Sequence, residues 1–185
     1  MSRHIPVTPE AMTDAQKNIH DAIASGPRGH VRGPFPVLLH SPQMADHVQK
    51  LGSYIRYECR LPDRLRELAV LVTSRFWGAE FEWFAHHELA RNAGIPEAAI
   101  EAIRTGGVPT FDDPADEAIY AFCTALHENH RVDDATYQKV QALLGQEVLT
   151  DLVAMSGYYT LLAMTLNVYQ VPLPDGSRAF DGDSN

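Results

Sequence analysis

The sequence predicts an all-α protein. Apolar residues recur at helical spacing along most of the 185 residues, and glycines and prolines separate the apolar segments. No run shows the two-residue alternation, bounded by hairpin turns, that is typical of strands. The hydrophobic share of 45% and the charged share of 21% are ordinary for a globular protein, and this length suffices for one domain with a core.

The predicted helices follow one another with short breaks. The first lies in TPEAMTDAQKNIHDAIASG, with Thr8 as its N-cap and Gly26 at its end. Residues 26–42 are predicted to be mostly loop, because they are rich in glycine and proline. The later helices are predicted in PQMADHVQKLGSYIRYE, PDRLRELAVLVTSRFWG, EFEWFAHHELARNAG, PEAAIEAIRTG, DPADEAIYAFCTALHENH, DDATYQKVQALLG and EVLTDLVAMSGYYTLLAMTLNVY.

These elements suggest a division of the chain into three parts. Residues 1–34 form an N-terminal helix and loop, residues 35–174 form the main helical domain, and residues 175–185 form a polar tail that we expect to be loosely ordered. The stretch from Leu152 to Pro174 has no charged residue and is long enough to cross a bilayer. Because it carries several polar side chains and no basic flank, we predict a core helix or a helix packed against another subunit.

Charge and cysteine content narrow the functional class. A net charge of −9 argues against nucleic-acid binding, which depends on basic residues. Cys59 and Cys123 lie far apart without a C-x-x-C pattern, so we expect free thiols in a reducing compartment. The N-terminus lacks an apolar core of signal-peptide length, and we therefore expect a cytoplasmic location.

The residues that point to chemistry lie in RELAVLVTSRFWGAEFEWFAHHELARNAG. Glu82 and His86 are four residues apart, so their side chains share one helix face, and a carboxylate at one imidazole nitrogen fixes the tautomer for acid–base work. Glu67 stands in an apolar run, where a carboxylate is costly to bury without a partner. A solvated helix face is the alternative. We expect no metal, because H-E-x-x-H and cysteine ligands are absent.

The same stretch, continued as IPEAAIEAI, resembles the carboxymuconolactone decarboxylase family, which shares its fold with AhpD-like alkylhydroperoxidases. The resemblance extends to PVLLHSPQMADHVQKLGSYIRYECRLPDRLRELA before it and LVAMSGYYTLLAMTLNVYQVPLP after it. It implies an AhpD-like helical bundle that assembles with itself as a homotrimer or homohexamer.

The two branches of the family imply different chemistry. In the thiol peroxidase branch, the family glutamate corresponds to Glu67 and the histidine to His86, but the two cysteines correspond to Ala79 and Glu82. Peroxidase activity by disulfide cycling is therefore disfavoured, because it needs both sulfurs. The decarboxylase branch is similar to this chain in having a glutamate four residues before the histidine, and its chemistry is cofactor-free.

The leading hypothesis is acid–base catalysis on a small lactone or carbonyl acid, as in decarboxylation or a related lyase or isomerase step. His86 would deliver or remove the proton, Glu82 would orient the imidazole of His86, and Glu67 would tune or share that proton. A developing enolate needs a cation or hydrogen-bond donor. The candidate substrate-binding residues are Arg56, Arg32, His40 and Trp83, with ordinary surface or core roles as the alternative. Another hypothesis is a non-catalytic helical oligomer that binds a small acid or a protein partner.

Overall fold

The computed structural model describes residues 2–3 and 5–180, and this part of the chain is helical, without a strand. A 3-10 helix at Pro9–Ala11 precedes eight α-helices. The helices are α1 (Asp14–Ser25), α2 (Phe35–Leu38), α3 (Pro42–Tyr57), α4 (Asp63–Phe76), α5 (Glu80–Asn92), α6 (Glu97–Arg104), α7 (Pro114–Asn129) and α8 (Asp134–Tyr169). The predicted all-α class is confirmed.

Helix α4 lies at the centre of the bundle and packs against α5, α7 and α8. Its run from Leu68 to Leu71 is fully buried, as expected for a helix that is apolar on most sides. A tight turn through Gly78, which has a φ of 55°, connects α4 to α5. Glycine adopts this left-handed conformation without steric cost, so the chain reverses at once and α5 runs back along α4.

Helix α8 provides the opposite wall of the core. Gly145, with φ 83° and ψ 167°, breaks the helix between the two segments that the sequence predicts as separate helices. By length and composition α8 could cross a membrane, and 56% of its most apolar window is buried inside the bundle. This burial fits the core helix that the sequence predicts.

Two local predictions at the N-terminal end are wrong. The first helix begins at Asp14, because Thr13 and Gln16 form a capping box, whereas Thr8 precedes only the 3-10 helix. The predicted loop at residues 26–42 contains α2 and the beginning of α3. Residues 26–34, between α1 and α2, and residues 39–41, between α2 and α3, are irregular as predicted.

The predicted polar tail is exposed and irregular at residues 175–178, but its buried residue Phe180 is not loosely placed. Phe180 is 3% exposed and packs edge-on against Trp83, with ring centroids 5.3 Å apart. The guanidinium of Arg75 lies 5.1 Å from the centre of the Phe180 ring. Burial of one aromatic side chain therefore holds the segment after α8 against α4 and α5. Residues 181–185 of the predicted tail lie outside the described residues.

Candidate active site

The hairpin of α4 and α5 brings Glu67, Glu82 and His86 together. His86 Nδ1 lies 2.6 Å from Glu67 Oε2, across the two helices. His86 Nε2 lies 3.6 Å from Glu82 Oε2, one turn earlier on the same helix. The imidazole is therefore placed between two carboxylates, one at each ring nitrogen.

All three side chains are buried, with 3% to 4% of their surface exposed. Burial acts to raise the pKa of Glu67, but its bond to His86 and the charges of His86, Arg66 and Arg56 hold that pKa below its ordinary value. Burial raises the pKa of Glu82, and the nearby charges of His86, Arg56 and Arg28 offset this only in part. The two carboxyl groups thus differ in protonation preference although they contact one histidine.

This difference determines what each ring nitrogen does. An ionised Glu67 accepts a hydrogen bond, so Nδ1 carries a proton and donates it to Oε2. The other nitrogen, Nε2, faces Glu82, whose carboxyl retains its proton more readily than usual. A proton can therefore be exchanged between Nε2 and Glu82, or passed to a bound molecule, while Nδ1 remains anchored.

A narrow cavity of about 40 Å³ adjoins this pair, which is room for a few water molecules or one small functional group. Glu82 and His86 line it, and Glu67 lies behind the imidazole, away from the cavity wall. The remaining polar and charged side chains of the wall come from the segment before α2 and from α3 and α8: they are Arg28, His30, Arg32, Arg56, Tyr158 and Tyr159.

Of the predicted substrate-binding residues, the structure brings Arg56 and Arg32 to this cavity but neither His40 nor Trp83. His40 is exposed and its Nε2 lies 3.3 Å from the backbone oxygen of Ile5. Trp83 follows Glu82 directly, so its side chain projects about 100° away around the helix and is buried against Phe180. Both expectations are corrected because neither side chain faces the cavity.

Sequence reasoning missed Arg28 and His30, and it placed Tyr158 and Tyr159 only within a stretch predicted to be a core helix or a helix packed against another subunit. The only sequence signal for Arg28 and His30 is that basic residues are concentrated in GPRGHVRG, whereas the chain as a whole is acidic. Tyr159 is 2% exposed, and its ring packs edge-on against that of His86, with centroids 5.2 Å apart. No spacing rule could have connected α8 with α5, because the residues lie more than 70 positions apart.

The two thiols lie outside the cavity wall. Cys59 donates a weak hydrogen bond to the Ile55 carbonyl, 3.0 Å away. Cys123 is fully buried, and burial raises the pKa of its thiol to about 12, which keeps it protonated and unreactive. Among the described residues, no group of three or more histidine, cysteine, aspartate or glutamate side chains is arranged to hold a metal ion.

The chain matches the model of the carboxymuconolactone decarboxylase family over residues 42–125, the segment that contains Glu67, Glu82 and His86. No curated protein matches the sequence.

Solved structures establish the fold class. A peroxidase-related protein from Ralstonia eutropha with an alkylhydroperoxidase AhpD core superposes with a TM-score of 0.76 at 18% identity, covering 94% of this chain and 93% of its own. The debrominase Bmp8, in complex with 2,3,4-tribromopyrrole, gives a TM-score of 0.73 at 14% identity, covering 95% of each chain. An AhpD-type protein from Agrobacterium tumefaciens gives 0.66 at 18% identity, covering 75% of this chain and 95% of its own. The fold is AhpD-like.

Proposed function

Because residues 42–125 match the model of the carboxymuconolactone decarboxylase family, we propose that the chain is a member of that family and an acid–base enzyme acting on a small organic acid. The reaction proposed is decarboxylation of a lactone or carbonyl acid, or a related lyase or isomerase step. The observation that supports it most directly is the buried imidazole of His86, anchored at Nδ1 by Glu67 and facing Glu82 and a cavity at Nε2.

In a decarboxylation at this site, the bond between the carboxylate carbon and its neighbour breaks and carbon dioxide leaves. The electron pair of that bond moves toward the adjacent carbonyl and forms an enolate. A proton from His86 Nε2 or from the Glu82 carboxyl then reaches the carbon that lost the carboxylate, and water restores that proton from solvent. The electron pair stays within the substrate until the proton arrives, and the negative charge then passes to the group that donated the proton, so the proposed step needs no electron-accepting cofactor.

The enolate requires positive charge or hydrogen-bond donors close to the developing oxyanion. Arg56 reaches the cavity from α3, and its charge influences both Glu67 and Glu82. Arg32 reaches it from the segment before α2. These guanidinium groups support decarboxylation because they offer fixed positive charge beside the proton donor.

A peroxidase route of the thiol type finds no support at this site. Ala79, the first position at which that branch has cysteine, is the N-cap of α5 and is fully buried. The second position is Glu82. The nucleophilic and resolving thiols that such a cycle needs are therefore replaced by a methyl group and a carboxyl group.

The test is to replace His86 with glutamine and to measure carbon dioxide release from a panel of lactone acids and 3-oxo acids. We expect turnover to fall on the order of 100-fold or more, since a positioned acid–base group contributes that much. The matched control is His87→Gln on the same helix, because His87 lies outside the cavity wall and contacts the backbone of α5, Glu88 and the ring of Phe84. Equal turnover in the His86 variant and the control would remove His86 from the mechanism.

We also propose that the chain assembles as a homotrimer or homohexamer, as the family resemblance implies. The support is a row of half-exposed apolar residues on the outer face of α8, formed by Val153, Leu161, Met164 and Val168. These positions recur at helical spacing on the face opposite the core. Light scattering on a size-exclusion column tests the proposal, and a monomer at micromolar concentration would contradict it.

A further inference from the structure

Two buried polar atoms in the cavity wall, Arg28 Nη2 and Tyr158 Oη, interact with each other and have no hydrogen-bond partner in any third group within the described part of the chain. Tyr158 is only 3% exposed, so its hydroxyl is not generally open to solvent. Native proteins satisfy most buried donors, because an unpaired buried polar group costs free energy. A guanidinium only donates hydrogen bonds, so even where Arg28 donates to the phenol oxygen, the O–H of Tyr158 has no acceptor. The pair therefore indicates a missing acceptor at this cavity.

The two atoms converge on the same place. A Cβ atom built on Gly52 of α3 would lie 2.1 Å from Tyr158 Oη and 2.9 Å from Arg28 Nη2. Both groups thus occupy the space that a side chain at position 52 would fill. The guanidinium of Arg28 is held in place by the ring of Phe35, with its central carbon 4.4 Å from the ring centroid. Glycine at position 52 lets the two donors approach each other.

The charge around the cavity points to the kind of acceptor. Arginine side chains at positions 28, 32 and 56 line it, and Glu82 is the one carboxylate in the described wall. This excess of positive charge is found in a chain whose net charge is −9. The planar guanidinium fork matches the two oxygens of a carboxylate, and a phenol hydroxyl can donate a further hydrogen bond.

We infer that Arg28 and Tyr158 form the carboxylate-recognition site of this protein, with Arg28 Nη2 and Tyr158 Oη donating to the ligand's oxygens. The inference rests on the proposed function for the idea that an organic acid binds here. Both residues lie outside the family-matched segment 42–125. Ligand selection is therefore determined by the irregular segment before α2 and by α8, and proton transfer by the α4–α5 hairpin.

The experiment uses benzoate as the probe, with benzyl alcohol as its neutral counterpart, and isothermal titration calorimetry on the full chain. We expect the wild type to bind benzoate and not benzyl alcohol. Arg28→Gln should weaken benzoate binding on the order of 10- to 100-fold, because it removes a charge-assisted hydrogen bond. Arg60→Gln is the control: it removes an arginine that is 75% exposed and pairs with Glu147, away from the cavity.

Tyr158→Phe separates recognition from a structural role. A hydroxyl without a partner does not stabilise the free protein, so the variant should unfold at the same temperature as the wild type or higher. It should nevertheless bind benzoate several-fold more weakly, since one donor is lost. A lowered unfolding temperature with unchanged benzoate binding would overturn the inference. Absence of benzoate binding to the wild type, or equal affinity in Arg28→Gln, would overturn it as well.

His86→Gln distinguishes this inference from the proposed function. If Arg28 and Tyr158 recognise the carboxylate, benzoate affinity should stay within about threefold of the wild type in the His86 variant, because no recognition contact is removed. If benzoate binds through Arg28 but no acid is turned over, the proposed function fails and the recognition site stands. If acids are turned over, but Arg28→Gln changes neither their KM nor the affinity for benzoate, the recognition site fails and the proposed function stands.

Discussion

The two sides of the His86 ring differ in how completely their polar groups are paired. On the Nδ1 side, Glu67 accepts the imidazole N–H at 2.6 Å, and its other oxygen forms an ion pair at 3.5 Å, without a hydrogen bond, with Arg66 Nε. On the Nε2 side, Glu82 is 3.6 Å away, and the cavity beyond it holds unpaired donors on Arg28 and Tyr158. The imidazole is thus held by a short hydrogen bond at Nδ1, whereas the cavity beyond Nε2 contains donors that lack an acceptor.

This contrast suggests a division of labour between folding and function. Paired buried groups hold a ring in one orientation, whereas unpaired ones reduce stability unless a ligand supplies the missing partner. The Nδ1 side is therefore expected to determine stability, and the Nε2 side to determine binding and turnover. Substitutions on the two sides should have opposite effects on the free energy of unfolding.

The largest effect is expected for Glu67→Ala on the paired side. This change leaves the buried imidazole without its anion and leaves Arg66 with only the exposed Asp63 as a partner, and we expect a loss of about 3–5 kcal/mol in the free energy of unfolding at neutral pH. Because the pKa of Glu67 is lowered in the folded protein, its contribution is complete above the ordinary glutamate pKa and is lost as the pH falls through the folded value. Urea unfolding at several pH values measures both effects.

The control for this substitution is Glu67→Gln, which keeps an acceptor for Nδ1 but not the charge. It should lose less stability than the alanine variant, because the buried N–H retains a partner. If both variants are as stable as the wild type at neutral pH, the paired side contributes nothing and the contrast is wrong.

A smaller effect of opposite sign is expected for Glu82→Gln on the unpaired side. Burial raises the pKa of Glu82, so the wild type holds a costly charge once the pH exceeds that raised value. The variant should be more stable than the wild type at alkaline pH, because a neutral amide avoids the cost of a buried charge at this position. The gain should disappear as the pH falls below the ordinary glutamate pKa, where the wild-type carboxyl is protonated in both states.

Activity provides the second measurement on this variant. Glu82→Gln should lose turnover while it gains stability, since an amide cannot exchange a proton with Nε2. Thermal unfolding and carbon dioxide release, measured on one preparation, test the expected gain in stability and the expected loss of turnover together. A variant that is destabilised at alkaline pH would place Glu82 with Glu67 as a structural group.

The smallest effect is expected for Arg60→Gln, which touches neither side of His86. Arg60 Nη1 lies 3.3 Å from Glu147 Oε2, and both side chains are mostly exposed. Exposed ion pairs contribute little, so the free energy of unfolding should change by less than about 0.5 kcal/mol. A larger loss would mean that charge changes anywhere on this acidic chain alter stability, and the effects near His86 would then need correction for it.

The sequence indicated the three central residues but not their arrangement. Spacing alone placed Glu82 and His86 on one helix face, and the apolar surroundings of Glu67 indicated that it needs a partner. We expected Glu82 to orient the imidazole, yet the shorter contact is made by Glu67. Spacing within a helix is fixed by its pitch, whereas the distance between two helices depends on how their side chains pack.

Residues distant in the chain show the same limit. Arg28 and Tyr158 meet above Gly52 because three separate segments pack there, and no local pattern encodes that meeting. Conversely, His40 and Trp83 lie close in sequence to cavity residues but face elsewhere. Phe180 is a further example: its neighbours in sequence are mostly polar, so the sequence did not indicate that its side chain is buried.

By itself the sequence determined that this protein is helical, where most of its helices lie, and that two glutamates and one histidine occupy an apolar region. These properties follow from periodicity and from the cost of burying charge, which act over a few neighbouring residues. Only the tertiary structure decided which glutamate anchors His86 and which donors remain unpaired beside it. Such contacts depend on the packing of distant segments against one another, where a shift of about an ångström separates a hydrogen bond from none.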